Sequence, residues 1–204
     1  MRPRNGRVVE IPDCGRDDLP LFLAENGFKT GAEIGMYKGD YTETLLSAGL
    51  KVYGVDPYLA FDDYDMPKRD FQARQDELFQ GVLQRLVPRF SNFTPIRRIS
   101  MEAVKDFKKG SLDFVYIDGH HGFKYVAEDL WEWTKIVRKG GIVAGHDYVY
   151  FKGNARDPFI LHVRFALDAF IEIFNIKPLY VLGRRHPVEG EKRDKWRSWF
   201  FINP

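Results

Sequence analysis

The chain has 204 residues, 31 Lys and Arg against 29 Asp and Glu, 44% hydrophobic residues and 15% aromatic residues. That length suits one domain that buries roughly 70–75% of its unfolded surface, and a net charge of +2 is too small to point to nucleic acid as a partner. Cys14 is the only cysteine, which excludes an internal disulfide and a cysteine-based zinc site.

The basic first residues lack the apolar stretch of a signal peptide, and no run is long and apolar enough to span a membrane, so the expected compartment is the cytoplasm. Residues 1–16 read as an irregular leader. Asp17 to Asn26 reads as a short helix with an acidic cap and Gly27 as its stop. Residues 1–26 are thus a leader and helix before the main domain, 27–204.

From there strands and helices alternate. Thr30–Ile34 is a strand, Asp40–Gly49 a helix, Lys51–Val55 a strand, and Asp70 to Leu86 a helix closed by Pro88. Phe93–Arg98 is the third strand, after which Ser100 caps a short helix. Leu112–Ile117 is almost wholly apolar, as expected of a strand buried on both faces. Tyr125–Val137 carries an apolar helical stripe at 126, 130, 133, 136 and 137, ended by Gly140-Gly141. Ile142–Ala144 is the fifth strand and Phe159–Phe174 a helix. Lys177–Leu182 and Trp196–Ile202 are the last strands. The alternation predicts an α/β fold: a doubly wound, three-layer, Rossmann-like sheet of about seven strands, with ligands at the carboxyl ends of the strands.

Two constellations fall at those ends. The first is Gly31-Ala32-Glu33-Ile34-Gly35-Met36-Tyr37-Lys38-Gly39, with Asp56 closing the next strand 21 residues beyond Gly35. An acid at that offset accepts hydrogen bonds from ribose hydroxyls. A pyrophosphate cofactor would want a third glycine and no carboxylate facing its anion. Glu33 instead suits a cofactor that carries a cation.

The pattern Glu-x-Gly-x-x-x-Gly with an acid after the second strand resembles the class I S-adenosylmethionine-dependent methyltransferases, over residues 27 to 204. The resemblance implies that Trp196–Ile202 is inserted antiparallel. It places Glu33, Gly35 and Gly39 around the methionine moiety, Asp56 at the ribose, Ser100 and Met101 near the adenine, and Asp118 at the methionine end or reacting centre.

The second constellation is Asp118-Gly119-His120-His121 with Gly145-His146-Asp147-Tyr148. This pairing is similar to a subgroup of small-molecule and sugar O-methyltransferases and cephalosporin-hydroxylase-like proteins. By that similarity Asp118, His146 and Asp147 would hold a divalent ion, commonly Mg²⁺, although an imidazole at the middle position suits softer metals better. Without metal, His120 or His121, and after them His146, would take the acceptor's proton as general base. His162 reads as packing, and His186 lies in a polar loop.

The reading is methyl transfer to a hydroxyl of a small-molecule or sugar-like acceptor, with no nucleic acid or membrane partner and with oligomeric state left open, a homo-oligomer included. The competing readings are a nicotinamide-dependent oxidoreductase, a metal-dependent oxygenase, and a domain that binds partners without catalysis. Lids are expected over Pro57 to Arg69, Tyr148 to Pro158 and Gly183 to Lys195. Within them Tyr58, Tyr64, Tyr148, Tyr150 and Phe151 either stack on the acceptor or anchor their loops.

Overall fold

A computed structural model describes residues 8–59, 71–151 and 161–204. Eight strands form one sheet: β1 (Val8–Ile11), β2 (Thr30–Ile34), β3 (Lys51–Val55), β4 (Phe93–Ile96), β5 (Leu112–Ile117), β6 (Val137–Gly145), β7 (Leu179–Leu182) and β8 (Trp199–Ile202). Their order across the sheet is β1-β7-β8-β6-β5-β2-β3-β4. All neighbours run parallel except β8, which is antiparallel to both β6 and β7. The helices are α1 (Leu19–Glu25), α2 (Asp40–Ser47), α3 (Phe71–Leu86), α4 (Ser100–Ala103), α5 (Phe123–Ile136) and α6 (Val163–Ile173).

Side-chain alternation along the central strands sorts the core into two layers. Ala32, Ile34, Val115, Ile117 and Val143 pack with Val126, Leu130 and Trp133 of α5 and Ala166 and Leu167 of α6. Phe114, Tyr116, Ile142 and Val52 pack on the other face with Leu23 of α1, Leu45 of α2 and Val82 and Leu86 of α3. β5 is therefore apolar at consecutive positions because both its faces are covered. Gly31 is the complement of this packing, since a Cβ there would fall 2.4 Å from the ring of Phe114.

The doubly wound, three-layer architecture is as expected, with the last strand antiparallel, but three local readings differ. Val8–Ile11 is a strand rather than an irregular leader, which makes the sheet eight-stranded. It pairs with β7 through backbone bonds while Val8 and Val9 stay 37% and 42% exposed, so its side chains carry no buried alternation to read. Gly140-Gly141 does not stop α5. The helix ends at Ile136, and the glycines sit within β6, where the pairing shifts between Leu112 and Phe114 of β5. A Cβ on Gly141 would lie 2.5 Å from the Asp113 carbonyl, so the bulge needs a glycine there. Ser100 begins α4 but makes no side-chain cap, its hydroxyl being turned to α5. Among the described residues no helix is long and apolar enough to cross a membrane.

Candidate active site

The carboxyl ends of β2, β3, β5 and β6 lie side by side because the ladder runs one bond past each strand. Gly35 N–H donates to Val55 at 2.8 Å, Asp56 N–H to Ile96 at 3.1 Å, Asp118 N–H to Ile34 at 2.8 Å and His146 N–H to Ile117 at 3.2 Å. These bonds fix where each loop departs and bring both sequence constellations to one edge.

The glycine loop is shaped by its neighbours. Gly35 has φ +91° and lies so close to the β5 loop that a Cβ would stand 2.1 Å from the Asp118 carbonyl oxygen. Gly39, at φ +75°, precedes α2 and packs against Val82 and Leu86. Asp56 closes the loop from the side: its carboxylate accepts the Tyr37 N–H at 2.9 Å and the Tyr58 N–H at 2.8 Å. Tyr58 donates its hydroxyl to the Tyr37 carbonyl at 2.6 Å. Burial raises the Asp56 pKa, opposed by those two N–H groups and by Arg97. Each carboxylate oxygen keeps acceptor capacity beyond the one bond it makes.

Glu33 sits below this loop rather than in the open. It is 1% exposed and accepts the Thr42 hydroxyl. Burial pushes its pKa up to about 8 against that hydrogen bond, and Asp118 adds to the rise. Ser100 and Met101 follow β4. Ser100 Oγ donates to Asp129 of α5 and accepts Trp133 Nε1–H at 2.8 Å, while Met101 is half-buried against the core. Asp129 is 4% exposed, and burial pushes its pKa up to about 7.

At the other end of the edge, Asp118, His121 and Asp147 converge, with one ligand atom from each within 4.8 Å of the others. His121 Nε2 lies 2.9 Å from Asp147 and 3.7 Å from Asp118. Burial disfavours the charge on His121, but the two carboxylates beside it outweigh that and push the pKa up to about 9. Burial alone would raise the Asp147 pKa, yet His121 and His146 hold it well below the usual carboxylate range. Asp147 also adopts φ +57°, as Tyr37 and Tyr58 adopt +48° and +49°. Backbone strain of this kind collects at sites that a surrounding fold must hold in place.

The histidines separate by their contacts. His120 Nδ1 accepts the Gly122 N–H at 3.0 Å and its ring centre lies 3.9 Å from that of Tyr125. His146 Nδ1 stands 3.2 Å from Asp147 and 3.9 Å from Asp118. The set of three that closes on one point contains His121, where the motif had suggested His146. His162 precedes α6, bonds the His121 carbonyl through its N–H at 2.9 Å and meets Phe165 edge-on.

Tyr58 and Tyr148 are buried, to 1% and 4% exposure. Tyr150 is exposed and bonds Asp168. Tyr64 and most of the Pro57–Arg69 and Tyr148–Pro158 stretches lie outside the described residues.

Two site residues were not singled out from the sequence. Asp129 had a signal, since it interrupts the buried stripe of α5 at a position facing inward with Val126 and Trp133. Arg16, whose Nη2 reaches Asp118 at 3.2 Å, had none.

A family model described as a methyltransferase domain matches residues 32–148, which span both constellations. No curated protein matches the sequence. Among solved structures, a protein assigned as a caffeoyl-CoA O-methyltransferase from Staphylococcus aureus superposes with a TM-score of 0.61 at 14% identity, covering 91% of this chain and 81% of that one. The N-methyltransferase NodS from Bradyrhizobium japonicum gives 0.57 at 15% identity, covering 93% and 94%. An O-methyltransferase from Bacillus cereus, solved in complex with SAH, gives 0.54 at 16% identity, covering 91% and 79%. At such identities the likeness is one of fold.

Proposed function

The chain belongs to the methyltransferase-domain family, and from that premise we propose that it transfers the methyl group of S-adenosylmethionine to a hydroxyl of a small-molecule or sugar-like acceptor. The observation that carries the reading is the shared edge: the glycine loop and Asp56 stand at one end of it and the Asp118–His121–Asp147 cluster at the other. A nucleoside would rest on Asp56, and the methyl group would be delivered toward the cluster. The family assignment and the two-glycine loop support methyl transfer over hydride transfer. O-methyltransferases among the structural neighbours support an oxygen acceptor.

Methyl transfer to an alcohol is an in-line displacement at a sulfonium carbon, and the enzyme's part is alignment, exclusion of water and removal of the hydroxyl proton. His121 is the group placed for the last task. With its pKa near 9 it is mostly protonated at neutral pH, so it accepts a proton readily only once its own is released. Asp147 at 2.9 Å holds the imidazole and stabilises the cation that forms.

The same three side chains fit a divalent ion. Two carboxylates and one imidazole suit Mn²⁺, Fe²⁺ or Zn²⁺ better than Mg²⁺, and such an ion would supply Lewis-acid activation of the hydroxyl.

The test is calorimetric titration of the full chain with S-adenosylhomocysteine, together with transfer of labelled methyl from S-adenosylmethionine to a panel of hydroxylated compounds. Asp56→Ala is expected to weaken binding at least tenfold, a charged hydrogen bond being worth roughly 1.5–3 kcal/mol. An unchanged dissociation constant would remove Asp56 from the site.

A further inference from the structure

Arg16 lies on a one-turn 3₁₀ segment, Arg16–Asp18, yet contacts with four other residues fix it. Its backbone N–H donates to Asp194 at 2.6 Å, and its carbonyl accepts the Tyr41 hydroxyl at 3.2 Å. Its guanidinium carbon stands 4.2 Å over the Tyr41 ring and 5.6 Å from the centre of the Tyr116 ring. Its Nη2 reaches Asp118 Oδ2 at 3.2 Å. The segment around it is tied down by Lys192, which bonds Asp13 through its N–H and Asp18 through its ammonium, both at 2.8 Å.

Holding a guanidinium by its face leaves its rim of N–H donors for ligands. Of the five, only a donor on Nη2 is engaged among the described residues. The side chain stays 26% exposed, so the rim is reachable. Its partner Asp118 belongs to the loop that Gly35 touches. A cation and an anion therefore sit side by side where the glycine loop meets the reaction cluster, the complement of an amino-acid zwitterion. Glu33 cannot take the anionic part of that role from Asp118, because it lies beneath the loop and bonds Thr42.

We propose that Arg16 binds the α-carboxylate of the cofactor's methionyl group while Asp118 receives the adjacent α-ammonium, so that the segment before α1 completes the cofactor site. This rests on the cofactor reading above, and the experiment separates the two. The full chain and the variants R16M and R16K are titrated with S-adenosylhomocysteine and with 5′-deoxy-5′-methylthioadenosine, which keeps the nucleoside and lacks the amino acid. In R16M the dissociation constant for S-adenosylhomocysteine is expected to rise at least about tenfold, while that for the truncated nucleoside changes less than about twofold. R16K keeps the charge without the planar fork and is expected to lose about threefold or more on S-adenosylhomocysteine alone, which carries the test if R16M does not fold. Equal losses on both ligands would make Arg16 a strut for Asp118, and an unchanged affinity for S-adenosylhomocysteine would remove it from the site. Either result overturns the proposal with the cofactor reading intact. A wild-type protein that binds neither ligand overturns both.

Discussion

Replacing Glu33 by glutamine is expected to stabilise the protein, and only toward alkaline pH. The carboxyl is 1% exposed, and burial lifts its pKa from the ordinary 4.5 to about 8. With the folded value above the unfolded one, the native state retains a proton that the unfolded chain gives up. The contribution of this group is whole below about pH 4.5 and is lost progressively as the pH rises to about 8. At about 1.4 kcal/mol per pH unit, that window sets an upper bound of about 5 kcal/mol, which relaxation around the carboxylate reduces. Glutamine keeps the volume and an acceptor for the Thr42 hydroxyl but has no proton to lose. Urea denaturation of both proteins at about pH 5 and about pH 8.5 measures the effect. The difference between them cancels groups they share, such as Asp129 and His121. The two should agree within about 1 kcal/mol at the lower pH, and the variant should lead by about 2 kcal/mol or more at the higher. A difference that does not change with pH would refute a neutral Glu33 and the desolvation behind it.

Gly35→Ala should cost about 3 kcal/mol or more and abolish S-adenosylhomocysteine binding, because the φ penalty is joined by a backbone clash with Asp118. Gly49→Ala is the control, with φ +85° and nothing within 4 Å of the added Cβ, and should cost about 1 kcal/mol; equal losses in thermal or urea melts would contradict the close approach at Gly35. Once an acceptor is in hand, kcat should climb with pH toward about 9, and His121→Gln should remove that rising limb while leaving S-adenosylhomocysteine affinity in place. A pH profile that survives His121→Gln would move the proton transfer to another group.

The strands and helices from Thr30 onward were readable because their signals are local: the continuous apolar run of β5, the apolar stripe of α5, and the glycine loop around Gly35. The same locality put Asp56, Asp118, His146 and Asp147 at strand ends, where the ladder then lined them up. β1 escaped because backbone pairing with β7, about 170 residues away, holds it while its side chains face solvent. Gly140-Gly141 misled because a bulge and a helix stop ask for the same residue.

The sequence by itself determined the order of layers, the edge on which the two constellations stand and the acids found there, since periodicity and strand ends depend on near neighbours. Only the tertiary structure decided which groups meet there. It joined Arg16 to Asp118 across 102 positions, set His121 beside two carboxylates, and raised the Glu33 pKa by burying it. Those choices rest on desolvation and on contacts between distant segments, and neither is written in the spacing of residues along the chain.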